Sequence, residues 1–283
     1  MIFRTEQFVG ARGIKLVGDV GGAPSAPSVL LLHGGGQTRH SWAGAMRNLT
    51  SHGYHVINLD ARGHGDSEWA PDGDYSFDAL AGDLECVMAT LPSKPALVGA
   101  SMGGATALYL VGSRPQTEAA VLILVDIVPR INELGGAKIR AFMNSHVDGF
   151  ASLAEAADAV HAYNPHRARS VNADGLMKNL RRRVDGRLYW HWDPRVIKGP
   201  DGIEPPFELE QLTRAADTVR IPTLLVRGLR SDIVTDEGVA DLRSRIPHIE
   251  VLDVPGAGHM VAGDRNDAFN QGVFEFLQRQ IPM

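Results

Sequence analysis

Short apolar runs alternate with helical patterns along most of the chain, and this alternation limits the possible folds more than any other feature. Runs rich in Val, Leu and Ile predict strands at Lys15 to Val20, Ser28 to His33, His55 to Leu59, Ala96 to Gly99, Ala119 to Val128, Thr223 to Val226 and Ile249 to Val254. Helical patterns lie between most of them, the first after Ser76, a predicted N-cap. Strands that alternate with helices predict an α/β fold with a mostly parallel central sheet flanked by helices.

The alternation stops between about Pro129 and Ala216, where helical patterns occur without strand signals between them. We therefore predict that residues 130–215 form an inserted helical cap, and that residues 1–129 and 216–283 form the core. The predicted cap contains Trp190 and Trp192. Two interpretations of these tryptophans stay open. They could anchor the core of the cap, or they could bind substrate as walls of a pocket between cap and sheet, a common place for one.

The composition excludes several classes of function. The 283 residues are 44% hydrophobic and 22% charged, so the chain can bury a core. A net charge of -5 argues against nucleic acid or an anionic membrane as partner, and favours a small, uncharged or mildly polar substrate. The single cysteine, Cys86, predicts neither a disulfide nor a multi-thiolate metal site. With neither a signal-peptide pattern nor a membrane-length apolar run, we expect a cytoplasmic protein.

The segment Gly99-Ala100-Ser101-Met102-Gly103 follows a predicted strand and opens into a helical pattern. A serine in this strand, turn and helix context is typical of a nucleophile elbow, in which a strained turn exposes the hydroxyl. The flanking glycines are needed because a Cβ there would clash with the neighbouring strand and helix. The pattern predicts Ser101 as the nucleophile.

A second glycine-rich segment, His33-Gly34-Gly35-Gly36, directly follows the strand that begins at Ser28. This is the position where an elbow-type architecture places half of its oxyanion hole. Acyl transfer needs two preorganised N–H donors for the carbonyl oxygen, and we predict the backbone N–H groups of Gly35 and Met102. His33 is interpreted as a structural histidine.

These motifs resemble those of the α/β-hydrolases, in the capped branch that contains esterases, epoxide hydrolases, haloalkane dehalogenases and cofactor-free haloperoxidases. The resemblance covers nearly the whole chain. It rests on His33-Gly34-Gly35, on the Asp60 to Ser67 segment, on the elbow, and on Gly256-Ala257-Gly258-His259. It implies that the Asp60 to Ser67 segment is a structural loop beside the active site, so that His64 is not catalytic. We expect no metal and no cofactor.

The order of catalytic residues in this family places the acid and then the histidine after the nucleophile. His259 lies in a glycine-flanked loop after a predicted strand, and is predicted to be the base. Asp232, in the loop after the strand Thr223 to Val226, is predicted to orient it. Asp236 follows a predicted N-cap and is interpreted as decoration of a helix N-terminus. Asp126 stays open as the alternative acid because it also ends a strand.

Serine at position 101 separates the chain from epoxide hydrolases and dehalogenases, which the resemblance associates with an aspartate there. With serine, the expected reaction is hydrolysis of a small carboxylic ester through an acyl-enzyme. Carbon-carbon bond hydrolases and cofactor-free perhydrolases that use the same triad stay open as alternatives. A small-molecule receptor with slow turnover is the alternative outside conventional catalysis. The sequence does not predict the oligomeric state.

Overall fold

The computed structural model describes residues 3–163, 173–198, 209–259 and 267–282. Its strands are β1 (Arg4–Val9), β2 (Lys15–Gly21), β3 (Ser28–Leu32), β4 (His55–Asp60), β5 (Ala96–Ala100), β6 (Val121–Val125), β7 (Leu180–Arg182), β8 (Leu188–Trp190), β9 (Thr223–Gly228) and β10 (Glu250–Val254). Its α-helices are α1 (Ala43–Ser51), α2 (Phe77–Met88), α3 (Met102–Ser113), α4 (Glu133–Met143), α5 (Leu153–Tyr163), α6 (Arg195–Lys198), α7 (Leu209–Ala216), α8 (Asp236–Arg245) and α9 (Asp267–Gln280). None of these helices has the length and apolar character needed to cross a bilayer.

Eight of these strands form one sheet in the order β1-β2-β4-β3-β5-β6-β9-β10. The six strands from β4 to β10 pair in parallel, whereas β1 and β2 add an antiparallel edge. The predicted fold class is therefore confirmed. Because the carboxyl ends of parallel strands share one edge of a sheet, the loops after β3, β5, β6, β9 and β10 meet there.

The sheet is buried on both faces because its side chains alternate between two apolar layers. Leu30 and Leu32 of β3 belong to the layer that includes residues of α2, α3, α7 and α8. Val29 and Leu31 belong to the opposite layer, which includes residues of α1 and α9. The helix after β4 begins as predicted, because the Ser76 hydroxyl accepts a hydrogen bond from the Ala79 N–H at 3.3 Å. Helices therefore cover both faces of the sheet.

The antiparallel strand β1 has no counterpart among the predicted strands. Its sequence, RTEQFV, contains only two apolar residues; four of its six positions are exposed and the other two are half-buried. An apolar run is therefore lacking at this edge. The hydrogen-bonded register with β2, from Arg4 opposite Val20 to Val9 opposite Lys15, defines the strand instead.

The inserted region differs from the predicted helical cap in two ways. Besides α4, α5 and α6 it contains the short antiparallel hairpin of β7 and β8. Helix α7 lies inside the predicted cap range except for its last residue, Ala216, yet Leu212 also belongs to the core layer beside α3. The Ala215 carbonyl oxygen would lie 2.1 Å from a Cβ built at Gly112 of α3. By its packing, α7 therefore belongs with the core of the central sheet.

Candidate active site

Ser101 sits in the turn between β5 and α3, and its backbone is strained. Its φ of 46° and ψ of -114° lie in a region that residues with a Cβ rarely adopt. The turn is fixed on both sides, because the Ser101 N–H donates to the Val125 carbonyl oxygen and its own carbonyl accepts from the Ala105 N–H. The predicted elbow is therefore present, and its serine is half-buried at the carboxyl edge of the sheet.

Two glycines of the elbow are required by close approach. A Cβ on Gly99 would lie 2.4 Å from the Gly104 nitrogen, and a Cβ on Gly103 would lie 2.5 Å from the Leu32 carbonyl oxygen. Both distances are far below ordinary contact, and both obstructing atoms belong to backbone, which cannot move aside cheaply. The glycines thus let α3 begin directly against β3 and β5.

The glycine-rich loop after β3 borders the elbow. A Cβ on Gly35 would lie 3.9 Å from the Cβ of Met102. The N–H of Gly34 donates to Gln37 Oε1 at 3.1 Å, and the N–H of Gly36 donates to His64 Nε2 at 3.2 Å. Within the described residues, the N–H groups of Gly35 and Met102 show no acceptor. The two donors predicted for an oxyanion hole are therefore adjacent and available.

His259 pairs with Asp126, which directly follows β6. The Nδ1 atom of His259 donates to Oδ2 of Asp126 at 2.8 Å. A carboxylate only accepts, so the ring proton sits on Nδ1 and Nε2 keeps its lone pair. The Asp126 side chain is fully buried, whereas 13% of the His259 side chain is exposed. The pair therefore has the form of a base with its tautomer fixed by a buried acid.

The loop that carries His259 is attached to the loop after β9. The Arg230 N–H donates to the Ala257 carbonyl oxygen at 2.8 Å. A Cβ on Gly228 would lie 2.6 Å from the carbonyl oxygens of both Ala257 and Gly258. Glycine at the end of β9 therefore lets the histidine loop approach close enough for His259 to contact Asp126.

Three polar hydrogens surround the Asp126 carboxylate. Oδ1 accepts from the Gly228 N–H at 3.1 Å. Oδ2 accepts from the Ser231 hydroxyl at 2.5 Å, in addition to His259. The residue has a left-handed φ of 51°, and its N–H donates to the Val226 carbonyl oxygen. Backbone and side chain are thus both anchored to β9, which satisfies a buried charge that would otherwise be costly.

The structure corrects the prediction that Asp232 orients His259. Asp232 points outward: its side chain is 49% exposed and accepts from Lys138 Nζ of α4 at 3.2 Å. Its neighbour Ser231 points inward instead, because the Ser231 oxygen accepts the N–H groups of Ile233 and Val234 and closes the turn. The loop after β9 therefore contributes a hydroxyl to the site, and the carboxylate comes from β6.

Asp236 has the role expected of it. It stands in the first turn of α8, whose N-cap Thr235 accepts from the Gly238 N–H at 3.2 Å. Its side chain is 88% exposed and pairs with Arg227. An acidic side chain in the first turn stabilises the positive N-terminal end of the helix, and Asp236 contacts none of the described residues of the site.

Residues of the cap cover the glycine-rich loop. A Cβ on Gly36 would lie 3.3 Å from Cε of Met143 and 3.4 Å from the Trp192 ring. Trp192 stacks on Trp190 with ring centroids 4.7 Å apart, and Trp190 packs edge-on against Phe150. Both tryptophans are buried. The structure thus places Trp192 at the boundary between cap and site, and Trp190 behind it in the cap core.

Three buried histidines lie side by side beneath this boundary. The ring centroids of His33 and His64 are 5.0 Å apart, and those of His64 and His191 are 5.9 Å apart. Each ring accepts a backbone N–H, from Ala61, Gly36 and Gly65 respectively. Burial lowers the pKa of all three, and that of His64 falls to about 3. They are therefore neutral supports of the loops, as predicted for His33.

Acidification is expected to destabilise the protein through His64. The folded chain keeps this ring neutral, whereas the unfolded chain, with an ordinary imidazole pKa near 6.5, takes up a proton. His64 therefore has no effect on the free energy of unfolding above about pH 6.5, and lowers it progressively as the pH falls from there towards 3. Between pH 7 and pH 5 His64 alone should lower the free energy of unfolding by about 2 kcal/mol.

Urea unfolding at the two pH values measures this loss. The variant His64→Gln should show a smaller dependence on pH, while His52→Gln, which changes an exposed histidine, should retain the native dependence. An equal free energy of unfolding at pH 7 and pH 5 in the native chain would contradict the interpretation.

Two residues of the site were not among the predicted ones. Met143 ends α4 and has no motif, so no local signal identifies it. Ser231 stands next to the predicted acid in the turn after β9. A serine in a turn can accept the backbone N–H two residues further on, as Ser231 does from Ile233, but this pattern does not identify a site residue. Among the described residues, no cluster of three or more His, Cys, Asp or Glu side chains is arranged to hold a metal ion.

Known proteins share this architecture along most of the chain. A family model described as the alpha/beta hydrolase fold matches residues 27–265. The chain is 33% identical over 248 residues to the esterase Rv0045c of Mycobacterium tuberculosis, with 85% of this chain and 79% of that protein covered. It is 29% identical over 270 residues to the sn-1-specific diacylglycerol lipase ABHD11 of Mus musculus, with 90% and 82% covered.

A solved structure of the M. tuberculosis esterase is also similar in three dimensions. It matches with a TM-score of 0.78 and 31% sequence identity, over 98% of this chain and 93% of that one. The family model spans the sheet from β3 to β10 together with the elbow, and the relatives are hydrolases. The chain therefore belongs to the α/β-hydrolase family and is a hydrolase of the esterase-like type.

Proposed function

We propose that the protein hydrolyses small carboxylic esters through an acyl-enzyme on Ser101. His259 acts as the base, Asp126 orients it, and the N–H groups of Gly35 and Met102 bind the oxyanion. The observation that carries the proposal is the 2.8 Å hydrogen bond between His259 and Asp126 at the same sheet edge as the strained serine. A base with a fixed tautomer and a nucleophilic serine on a strained turn are the parts that nucleophilic catalysis requires.

The first half of the reaction forms the acyl-enzyme. Ser101 Oγ attacks the ester carbonyl carbon while His259 Nε2 takes the hydroxyl proton. The carbonyl oxygen becomes an oxyanion and accepts from Gly35 and Met102, whose N–H groups have no other acceptor in the described residues. The positive N-terminal end of α3 adds favourable electrostatics, since Met102 is its first residue. His259 then gives the proton to the leaving alcohol.

The second half releases the acid. Water attacks the acyl carbon, His259 takes a proton from it, and the second tetrahedral intermediate collapses to regenerate Ser101. The Asp126 carboxylate stabilises the imidazolium that forms in each half. The Gly34 and Gly36 N–H groups, which are held by Gln37 and His64, keep the oxyanion loop in place without substrate.

The cap limits what can reach this centre. Met143 and Trp192 lie against Gly36, so we propose that they form the wall nearest the acyl group, with Trp190 as the support behind Trp192. The wall is apolar, which favours an uncharged acyl group. The relatives named esterase and lipase support ester bonds as the class of substrate.

A panel of nitrophenyl esters with acyl chains from acetyl to dodecanoyl tests the proposal. We expect steady release of nitrophenolate over many turnovers, with acetyl or butanoyl esters turned over faster than the dodecanoyl ester, because Met143 and Trp192 enclose the site. Replacing Trp192 by alanine should raise the relative rate of the longer esters, whereas Phe274→Ala, which removes a half-buried ring of α9 that packs on His52, should not.

Three other outcomes would overturn the proposal. Turnover of a ring-cleavage dienoate but of no ester would assign the site to carbon-carbon bond hydrolysis. Peracid formation from acid and peroxide without ester hydrolysis would identify a perhydrolase. A burst of one product equivalent per chain followed by arrest would identify a slow-turnover receptor.

A further inference from the structure

Ser231 makes a hydrogen bond whose direction is fixed by its surroundings. Its oxygen accepts the Ile233 N–H at 3.1 Å and the Val234 N–H at 3.2 Å. A hydroxyl has two acceptor lone pairs and one proton. Because both lone pairs are occupied, the proton is directed at the remaining neighbour, Oδ2 of Asp126, at 2.5 Å.

The same carboxylate oxygen also accepts from His259. Oδ2 therefore holds two donors, Ser231 at 2.5 Å and His259 at 2.8 Å, while Oδ1 holds the Gly228 N–H. With one oxygen tied to β9 and the other held by the turn after β9, the carboxylate cannot rotate about its last bond. The face that it presents to His259 is thus set by the loop between β9 and α8.

We propose that Ser231 is a positioning residue of the catalytic centre, acting on His259 through Asp126. This inference rests on the proposed function and adds a fourth side chain to it. The hydroxyl does two things: it holds Oδ2 in line with Nδ1, and it shares the negative charge of Oδ2, on which His259 would otherwise be the one donor among the described residues. The base is thereby aligned.

Removal of the Ser231 hydroxyl should shift the pH profile of the reaction in a predictable direction. Without it, the negative charge of Asp126 is less compensated and stabilises the imidazolium of His259 more strongly. The base is then blocked by a proton at higher pH. In Ser231→Ala, kcat/KM should fall about tenfold at its optimum, as expected for the loss of one hydrogen bond to a charged group. The acid side of the profile should move to higher pH.

The turn itself offers a matched control. Thr235→Ala also removes a hydroxyl that accepts a backbone N–H, that of Gly238, but Thr235 does not contact Asp126. It should lower the melting temperature as Ser231→Ala does, and leave the shape of the pH profile native. Ser231→Thr keeps the hydroxyl and should recover most of the turnover and the native profile.

A measurement that does not depend on turnover separates this inference from the proposed function. The Nδ1 proton of His259 gives a proton resonance that His259→Gln identifies by its loss. Ser231→Ala should move it downfield, because the bond to Asp126 strengthens, and Thr235→Ala should leave it in place. If the native chain turns over no ester, the proposed function fails while this shift still tests Ser231. If esters are turned over, but Ser231→Ala keeps the native profile and resonance, the positioning role is wrong.

Discussion

Replacing Asp126 by asparagine is expected to reduce the acylation rate by a factor on the order of 10⁴. The amide cannot hold the Nδ1 proton of His259 as the carboxylate does, so the ring is free to adopt the other tautomer, and the imidazolium loses its counter-charge. The fold should survive, because the amide oxygen can still accept from Gly228 or Ser231. Stopped-flow acylation by an activated ester at saturating concentration measures the effect.

Asp232→Asn is the matched control for this change. It removes a carboxylate one residue from Ser231, but only an exposed pair with Lys138 is lost. Such a surface pair contributes about 1 kcal/mol or less to stability. Turnover should therefore stay within about twofold of native. If Asp232→Asn is inactive while Asp126→Asn is active, the carboxylate that orients His259 is Asp232, in the loop after β9.

Replacing Ser101 by alanine should remove nearly all activity, by a factor on the order of 10⁶ in kcat. No acyl-enzyme can form without the hydroxyl, and the residual rate would come from the oxyanion site and binding alone. Alanine should fold, because it carries the same Cβ as serine and adds no strain at φ 46°. A fluorophosphonate probe should label the native chain once and the variant not at all.

The control for this variant is Ser145→Ala in the cap, where the hydroxyl donates to the Phe142 carbonyl oxygen. This protein should take the label and turn over esters at close to the native rate. Labelling of Ser101→Ala as fast as the native chain would mean that a different residue is the nucleophile.

The elbow and the oxyanion loop could be predicted from the sequence because each is a contiguous segment. The strand, the turn glycines and the helix around Ser101 stand within about a dozen residues. The glycines themselves indicate that the backbones approach too closely for a Cβ. The parallel sheet was predictable for the same reason, since each buried strand is a short apolar run. The order of the strands follows from packing between distant segments, which no local pattern contains.

The acid could not be selected in this way. Asp126 and Asp232 both follow a buried strand, and both strands end at the same edge of the sheet. What separates them is the turn after β9, in which the Ser231 oxygen accepts two backbone N–H groups and so directs Asp232 outward. That choice depends on hydrogen bonds that form only when the turn closes, and the residue types are compatible with either result.

The secondary structure and the contacts of the cap were predictable only in part. Strand β7 has three residues and β8 has three, too few for an alternating pattern to be recognised. The stacking of Trp190 on Trp192 could be anticipated as one of two interpretations, but the contact of Met143 and Trp192 with Gly36 joins segments more than a hundred residues apart. Contacts of this kind depend on how the cap sits on the sheet.

The origin of the acid on β6 sets a limit on how caps could be exchanged among enzymes of this architecture. Asp126 lies only a few residues before the chain enters the cap, and its left-handed backbone is tied to Val226. The next tie to the core is the Asn132 N–H, which donates to the Ile233 carbonyl oxygen just before α4 begins. If a foreign cap were joined before this second hydrogen bond, its geometry would alter the position of the Asp126 carboxylate. A Cβ on Gly135 would lie 2.1 Å from the carbonyl oxygen of Asp232, in the turn whose Ser231 hydroxyl holds the Asp126 carboxylate. Recombination junctions for new specificities therefore belong after residue 135, so that this glycine is kept.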